Sequence, residues 1–374
     1  MIAITGSTIW NGNEDVLEGY TILIKDRKIE RISKNITIPS NYQTIDGNGL
    51  TITPGLIDVH THLGVSEEGV GKEGADFNET SSPTSPEVRA IDGINPREYG
   101  FEVARESGIT TVQVMPGSAN VIGGEMSVLK TTGSVIDEMV IRSTSGMKAA
   151  TGENPKIFHG SKGKMPTTRM GVAATIRQKL FEAKYYSNNS NASFDLGLEQ
   201  LAKVINKEIP LRVHAHRADD IVTVLRLKKE FDIDVTIEHC TEGHFIADYI
   251  ATHDVMVSVG PTMSTRSKVE LKDKNWKTIK TLTDAGISCS ITTDHPVVGI
   301  EYLLTSAIHA IKNGLTEQQA LKTITSNAAK HLGVDNRVGS LEAGKDADFL
   351  LWDGNPFDLQ TSLLDVYIDG TKVS

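Results

Sequence analysis

Six side chains in this sequence have the types and the spacing to hold a metal cation. Residues 54–62, Pro54-Gly55-Leu56-Ile57-Asp58-Val59-His60-Thr61-His62, read as an apolar strand ending in a His-x-His pair. Residues i and i+2 of a strand point to one face. If that face is the interior of a barrel, both imidazoles enter one small volume at the C-terminal end of the strand, where barrel active sites lie. Neutral imidazoles side by side are a ligand pair for a divalent cation. A lone His-x-His can equally be two outward polar residues, but here the pattern recurs. His214 and His216 close the apolar run 211–216, His239 closes Val235–His239, and Asp294 follows Ser290-Ile291-Thr292-Thr293. Four apolar strand ends carrying His or Asp make a site.

Those strand ends need a scaffold that brings them together. Strand-like runs at 56–62, 109–116, 211–216, 235–239, 255–259 and 287–293 alternate with amphipathic stretches such as 96–107 and 316–325. The first of these stretches has Asn95 as a cap and Pro96 at the first helical position. Such alternation is the signature of a parallel sheet wrapped by helices, and its length suits an eightfold barrel. Before residue 52 and again after residue 340, short β-like runs are broken by Gly, Asn and Asp, so the two chain ends are expected to pair. The expected fold is therefore α/β: a (β/α)8 TIM barrel over 53–339 with a small β-sandwich domain built from both chain ends, 1–52 and 340–374. The third and fourth barrel strands are the weak point. The stretch from Ile109 to Gly152 is too short for two full βα units, so a helix there must be short or replaced by loop.

Bulk composition narrows the partners. A chain of 374 residues with 39% hydrophobic and 23% charged residues has the makeup of a folding globular enzyme rather than a disordered chain. Its net charge of −10 argues against nucleic acid or an anionic membrane surface, both of which need a basic footprint, and favours a small-molecule substrate. Two cysteines, Cys240 and Cys289, without C-x-x-C spacing indicate neither a disulfide framework nor a cysteine-built zinc site. The opening residues lack the features of a secretory signal and no long apolar span occurs, so a soluble, cytoplasmic protein is expected.

The His-x-His strand, the two later strand-end histidines and the Thr-Asp at 293–294 resemble the amidohydrolase superfamily, in particular its imidazolonepropionase and prolidase-like group. The closing stretch, from Ser326-Asn327-Ala328-Ala329 to Gly344-Lys345-Asp346-Ala347-Asp348, looks like the superfamily's exit from barrel to β domain. The resemblance implies a metal-dependent hydrolase that cleaves an amide, cyclic amide or dipeptide-like C–N bond through a metal-bound hydroxide. It implies His60, His62 and Asp294 as ligands of one metal and His214 and His239 as ligands of a second. It also implies a bridging carboxylate from the fourth strand. Lys148, within Gly146-Met147-Lys148-Ala149-Ala150-Thr151-Gly152, matches the family's strand with a carboxylated lysine, and Glu153 is the alternative bridge. A carbamate bridge implies a binuclear metal centre, and a glutamate often a single metal. Zinc is the default cation, one or two per chain, with manganese, iron or cobalt compatible with the same donors. Asp294 is the expected proton carrier as well as a ligand.

Several neighbours are candidates for substrate contact. His216 lies on the same face as His214, and either could be the ligand. Arg217 offers a bidentate fork for a carboxylate, though an arginine after a strand is as often on the surface. His244 and His295 follow ligand positions closely enough to line a pocket. The basic segment 156–169 suits either an anionic substrate or a solvated lid, and the glycine-rich stretch 64–93 either a lid or an irregular loop. Cys240 reads as a buried filler. Two other functions fit the same residues: deamination of an amino-heterocycle, and a non-catalytic scaffold that kept the barrel. Retention of every expected ligand position speaks against the scaffold.

Overall fold

The computed structural model describes residues 1–13 and 15–374. The chain opens with five strands, β1 (Ile2–Trp10), β2 (Val16–Lys25), β3 (Lys28–Ser33), β4 (Gln43–Asp46) and β5 (Thr51–Pro54). Eight more follow: β6 (Leu56–Thr61), β7 (Ile109–Val114), β8 (Ile122–Lys130), β9 (Val140–Ala150), β10 (Leu211–Ala215), β11 (Val235–His239), β12 (Met256–Val259) and β13 (Cys289–Ile291). The chain ends on β14 (Phe349–Trp352), β15 (Leu363–Ile368) and β16 (Thr371–Lys372).

Strands β6 to β13 lie side by side in chain order and form a TIM-like barrel. Its two ends meet where His62 N donates to His295 O at 2.8 Å. Beneath that contact, Asp58 accepts from the hydroxyls of Thr292 and Thr293, each at 2.6 Å. Ile57 and Val59 cluster with Val128 of β8 and with Ala328, Ala329 and Leu332 of the Ser326–Leu332 helix. A register shift between Asp58 and Thr61 interrupts the alternation of β6, and His60 lies inward, its Nε2 3.2 Å from Lys148 Nζ. Gly55, between β5 and β6, leaves no room for a side chain, since a Cβ there would lie 2.1 Å from Thr110 Oγ1.

The expectation of eight βα units is corrected at one strand. β8 runs antiparallel to both β7 and β9. Parallel neighbours need a crossover connection, antiparallel ones only a turn. The short stretch between β7 and β9 cannot supply two crossover helices, and the chain returns through β8 instead. This puts Gly117, Ser118 and Ala119, in the turn between β7 and β8, on the wall of the main cavity. The helix expected over 96–107 is shorter, Gly100–Glu106. Asn95 does not cap it: its side chain accepts from Arg97 N at 3.0 Å in a turn that precedes the helix. The helix expected over 316–325 forms as Glu317–Thr323, with a reciprocal cap between Thr316 and Gln319.

Both chain ends share the second sheet, in the order β16-β15-β14-β5-β1-β2-β3, with β4 beside β1. The join is the antiparallel pair β5 and β14. This sheet packs its own apolar cluster, including Ile4, Ile22, Ile52, Phe349 and Tyr367. No helix among the described residues is long and apolar enough to cross a membrane.

A buried ionic cluster joins the two sheets. Lys130 Nζ, at the end of β8, lies 2.5 Å from Asp348, 3.0 Å from Asp346 and 3.1 Å from Asp369. Asp346 also pairs with Lys28 and Arg337. Burial opposes its ionisation, but Lys28, Lys130 and Arg337 prevail and hold its carboxyl at about 2. Because the folded value lies below the ordinary one, the charge stabilises the fold above the usual carboxylate range, and that contribution is lost as pH falls through the folded value. Asp346→Asn is therefore expected to cost about 2 kcal/mol at neutral pH. Thermal unfolding of the variant should show a lower Tm at pH 7 and a deficit that narrows as the pH approaches 3. An equal Tm at pH 7 would refute the assignment.

Candidate metal centre

The C-terminal ends of β6, β10, β11 and β13 converge on a cavity of about 560 Å³. His62, His214, His216, His239 and Asp294 line it, and His60, 1% exposed, sits behind them. Asp294 Oδ1 lies 3.4 Å from Nε2 of His60 and 3.4 Å from Nε2 of His62. The ligand atoms of His60, His239 and Asp294 lie within 4.8 Å of one another, as do those of His214, His216 and His239. His239 belongs to both groups. His216 thus joins the ligand atoms of His214 instead of standing apart from them.

Second partners aim these rings. His62 Nδ1 donates to Met115 O at 2.8 Å and His239 Nδ1 to Gly260 O at 2.7 Å, which leaves each Nε2 lone pair toward the cluster. His216 Nδ1 is held by the Thr241 hydroxyl at 2.7 Å. His214 is the exception: among the described residues neither of its ring nitrogens has a hydrogen-bond partner, although the side chain is buried. An unsatisfied buried polar group costs about 1–3 kcal/mol, which a bound cation would relieve. The 3.4 Å separations around Asp294 are long for a hydrogen bond. They are close to the roughly 3.3 Å edge of a tetrahedron of donors placed about 2.0 Å from a cation. The residues present fit a divalent metal.

The electrostatics agree. Burial, then Lys148 and His239, push His60 down to about 3. Burial followed by His239 holds His214 and His216 well below the usual imidazole range, and burial lowers His239 as well. These rings are neutral, the form that ligates. Burial favours a protonated Asp294, but His62, His239 and His60 outweigh it and keep the carboxylate ionised. His239 and Asp294 both adopt left-handed backbone, at φ 72° and 54°. For non-glycine residues this costs roughly 1–2 kcal/mol each, strain of the kind that gathers at functional sites.

Lys148 points inward from β9 and is fully buried. Its Nζ lies 3.2 Å from His60 Nε2 and 3.1 Å from Met115 Sδ. Burial pushes its ammonium down to about 8. Glu153 begins the Glu153–Gly160 helix, where its backbone N–H donates to Glu270 at 2.9 Å; it borders the cavity but belongs to neither ligand group. The fold therefore brings Lys148, not Glu153, to the ligand atoms.

Two expected substrate contacts do not reach the cavity. The Arg217 fork is taken by Asp219, with both bonds at 2.9 Å, because a carboxylate two residues along the chain captures it at the start of the Ala218–Phe231 helix. His244 packs against the Phe245 ring at a tilt of 48° and its Nδ1 meets the hydroxyl of Thr278 at 2.9 Å, so Thr278 faces the cavity in its place. His295 is buried next to the site and accepts from Ile300 N at 3.2 Å, while the following Pro296 and Val297 line the wall. The stretch 64–93 contributes Phe77 and Asn78, and the segment 156–169 contributes Ile157 and Phe158. Two basic side chains of that segment have partners: Lys162 lies over the Phe158 ring and Arg169 pairs with Asp220. Cys240 is buried, and burial raises its thiol well above the usual range.

Sequence reasoning missed three charged groups here. Lys268 is a cation on the cavity wall, bound by Asn154 at 2.9 Å and Glu270 at 3.3 Å. Glu270 is buried, with Oε1 3.9 Å from His214 Nε2 and 3.8 Å from His216 Nε2. Glu238 is buried against His60. Only Glu238 carried a signal in the sequence, as an acidic residue inside an apolar strand.

Comparison with known proteins follows the same lines. A family model described as the amidohydrolase family matches residues 51–373. The chain is 26% identical to amidohydrolase tasK of Hapsidospora irregularis over 98% of its own length, yet spans only 42% of that protein. It is 23% identical to imidazolonepropionase of Legionella pneumophila (strain Corby), over 90% of this chain and 88% of the relative. The crystal structure of an amidohydrolase from Thermotoga maritima MSB8 superposes with a TM-score of 0.96 at 38% identity, covering 100% of both chains.

Proposed function

The chain belongs to the amidohydrolase family, hydrolases of carbon–nitrogen bonds, and from that premise we propose that it cleaves an amide, cyclic amide or dipeptide-like bond of a small molecule. The observation that carries the proposal is His214, buried on the cavity wall with both ring nitrogens unpartnered beside the ligand atoms of His216 and His239. His60, His62, His214, His239 and Asp294 would hold the metal, with Lys148, as its carbamate, supplying a further carboxylate. Zinc suits this mixture of imidazole and carboxylate donors. The division of labour along the chain is a catalytic barrel over 53–339 and a β domain from 1–52 and 340–374, supported by the apolar cluster of Ile4, Ile22, Ile52, Phe349 and Tyr367 that the two chain ends build between them.

A divalent cation held there lowers the pKa of water and polarises a carbonyl. The chain's own residues do the rest. Asp294, ionised and partly open to the cavity, takes a proton from the attacking water and delivers it to the leaving nitrogen. The Lys148 amine, lowered to about 8 by burial, keeps a reactive neutral fraction at physiological pH, and its addition to CO2 gives a carbamate and a proton. Phe77, Ile157, Phe158, Leu271 and Val297 form apolar cavity wall, which excludes bulk water and accepts the apolar part of a substrate. His216, beside His214 and at the cavity surface, is placed to contact the substrate.

The test is elemental analysis of protein purified without chelators, followed by assay against amides, cyclic amides and dipeptides. About two equivalents of metal per chain and release of an amine or an opened ring are expected. Release of ammonia from amino-heterocycles would redirect the assignment to deamination. Absence of bound metal even after reconstitution with zinc and bicarbonate would overturn the catalytic reading.

A further inference from the structure

Behind the cavity, Glu238 lies in the barrel interior with its carboxylate fully buried. An ionised carboxylate only accepts hydrogen bonds, with about four lone-pair positions. Four groups surround it: Thr236 Oγ1 at 2.6 Å and His331 Nε2 at 3.1 Å on Oε1, and Ser258 Oγ at 2.6 Å and His60 Nδ1 at 3.3 Å on Oε2. The two hydroxyls have no freedom of direction. Thr236 Oγ1 already accepts from the Arg212 guanidinium at 3.4 Å, and Ser258 Oγ accepts from the backbone N–H of His239 at 3.4 Å. Each hydroxyl proton is thereby turned toward Glu238. Arg212 is itself fixed: it donates to Ser145 O at 3.2 Å and His331 O at 2.6 Å, and passes Gly146 so closely that a Cβ there would lie 2.7 Å from its Nε. Its NH1 approaches Glu238 to 4.0 Å, supplying the positive charge that a buried carboxylate needs.

We infer that Glu238 is a positioning residue, which compels His60 to carry its proton on Nδ1 and so presents the Nε2 lone pair to Lys148 and Asp294. The polarity runs one way from two groups that can only donate, Arg212 on one side and the His239 N–H on the other, so Glu238 has no donor to offer His60. The same carboxylate orders Ser258 under the backbone of His239, which ties two proposed ligands from different strands to one buried charge. His331, from the Ser326–Leu332 helix, closes the set from behind. The inference deepens the proposed function and rests on its metal centre, but its central statement, the position of one proton, holds for the metal-free protein too.

The experiment pairs a variant with a measurement on the wild type. Glu238→Gln keeps the shape but presents an amide that competes as a donor. Its affinity for Zn²⁺, measured by chelator competition, is expected to fall roughly 10–100-fold, as when the outer partner of a metal-bound histidine is lost. The visible absorption of the Co²⁺-substituted protein should change with it. A purely structural role would lower the Tm and leave both readings alone, so a folded Glu238→Gln protein with wild-type affinity and spectrum overturns the inference. If the variant does not fold, the ring ¹⁵N shifts of His60 in metal-free wild type decide: a proton on Nδ1 supports the inference and a proton on Nε2 overturns it. If wild type binds no metal, the proposed function falls, and the same ¹⁵N measurement still judges Glu238.

Discussion

Asp294→Asn is expected to lower kcat by roughly 10³-fold with little change in KM, the loss associated with a missing general acid–base group. Asparagine keeps an oxygen near His60 and His62 but cannot take a proton from water. It is also among the non-glycine residues that best tolerate the left-handed conformation found at this position, φ 54°. The backbone strain is thus left as it is, and the substitution isolates the proton transfer. Kinetics have to be read at matched metal content, because the variant also removes a charge from the ligand set. A kcat within tenfold of wild type in the metal-replete variant would show that Asp294 does not carry the proton.

Lys148→Met is expected to lose at least one of about two bound metal equivalents and to reduce activity on the order of a thousandfold or more. Methionine is preferred to alanine because the lysine stem is fully buried, and truncation would leave a void costing about 2–5 kcal/mol. With the core filled, lost metal reports on the amine and not on packing. The pH dependence is a second check. Burial lowers the folded-state ammonium to about 8, so the neutral amine grows as pH rises and approaches half at that value. The imidazoles of His60, His214 and His216, pushed well down by burial, stay neutral over the same range, and burial lowers His239 too. At a fixed pressure of CO2, the rate at which metal-free protein recovers activity with zinc should climb between pH 6 and pH 8. A recovery rate flat across that range, or a Lys148→Met variant that retains its metal, would move the bridge elsewhere.

These expectations differ in how far they could be read without coordinates. The candidate ligands were legible because the pattern is local: His60 and His62 lie two positions apart at the end of one apolar strand, which keeps them close whatever the barrel does. The helix after Thr316 and the pairing of the chain ends were legible for the same reason, since each rests on short-range pattern. Lys148 was reachable only through family resemblance. Its own strand, β9, carries no alternation clear enough to tell a buried lysine from an exposed one.

Arg217 and His244 show where adjacency in sequence misleads. Each closely follows a histidine of the candidate centre, but the chain leaves the strand end and turns into a helix or a short helical turn, so a few residues suffice to carry a side chain off the cavity. Arg217 was then captured by its neighbour Asp219. Lys268 and Glu270, far from any ligand in the chain, reach the cavity region because the loop after β12 folds back over it. The direction of β8 was equally out of reach. A strand's residues specify its two faces and its burial, not the sense in which it pairs, and only the length available between β7 and β9 hinted that a crossover was impossible.

The sequence alone therefore determined which residues could ligate a metal, which faces they occupied and that the scaffold is a barrel, because these follow from residue type and from periods of two and three to four positions. Tertiary structure decided which of them meet: that His216 joins His214 and His239, that Lys148 and not Glu153 reaches His60, and that Glu238 stands behind them. Such contacts join residues tens to hundreds of positions apart. They depend on how the strands close around one another, which no local pattern encodes.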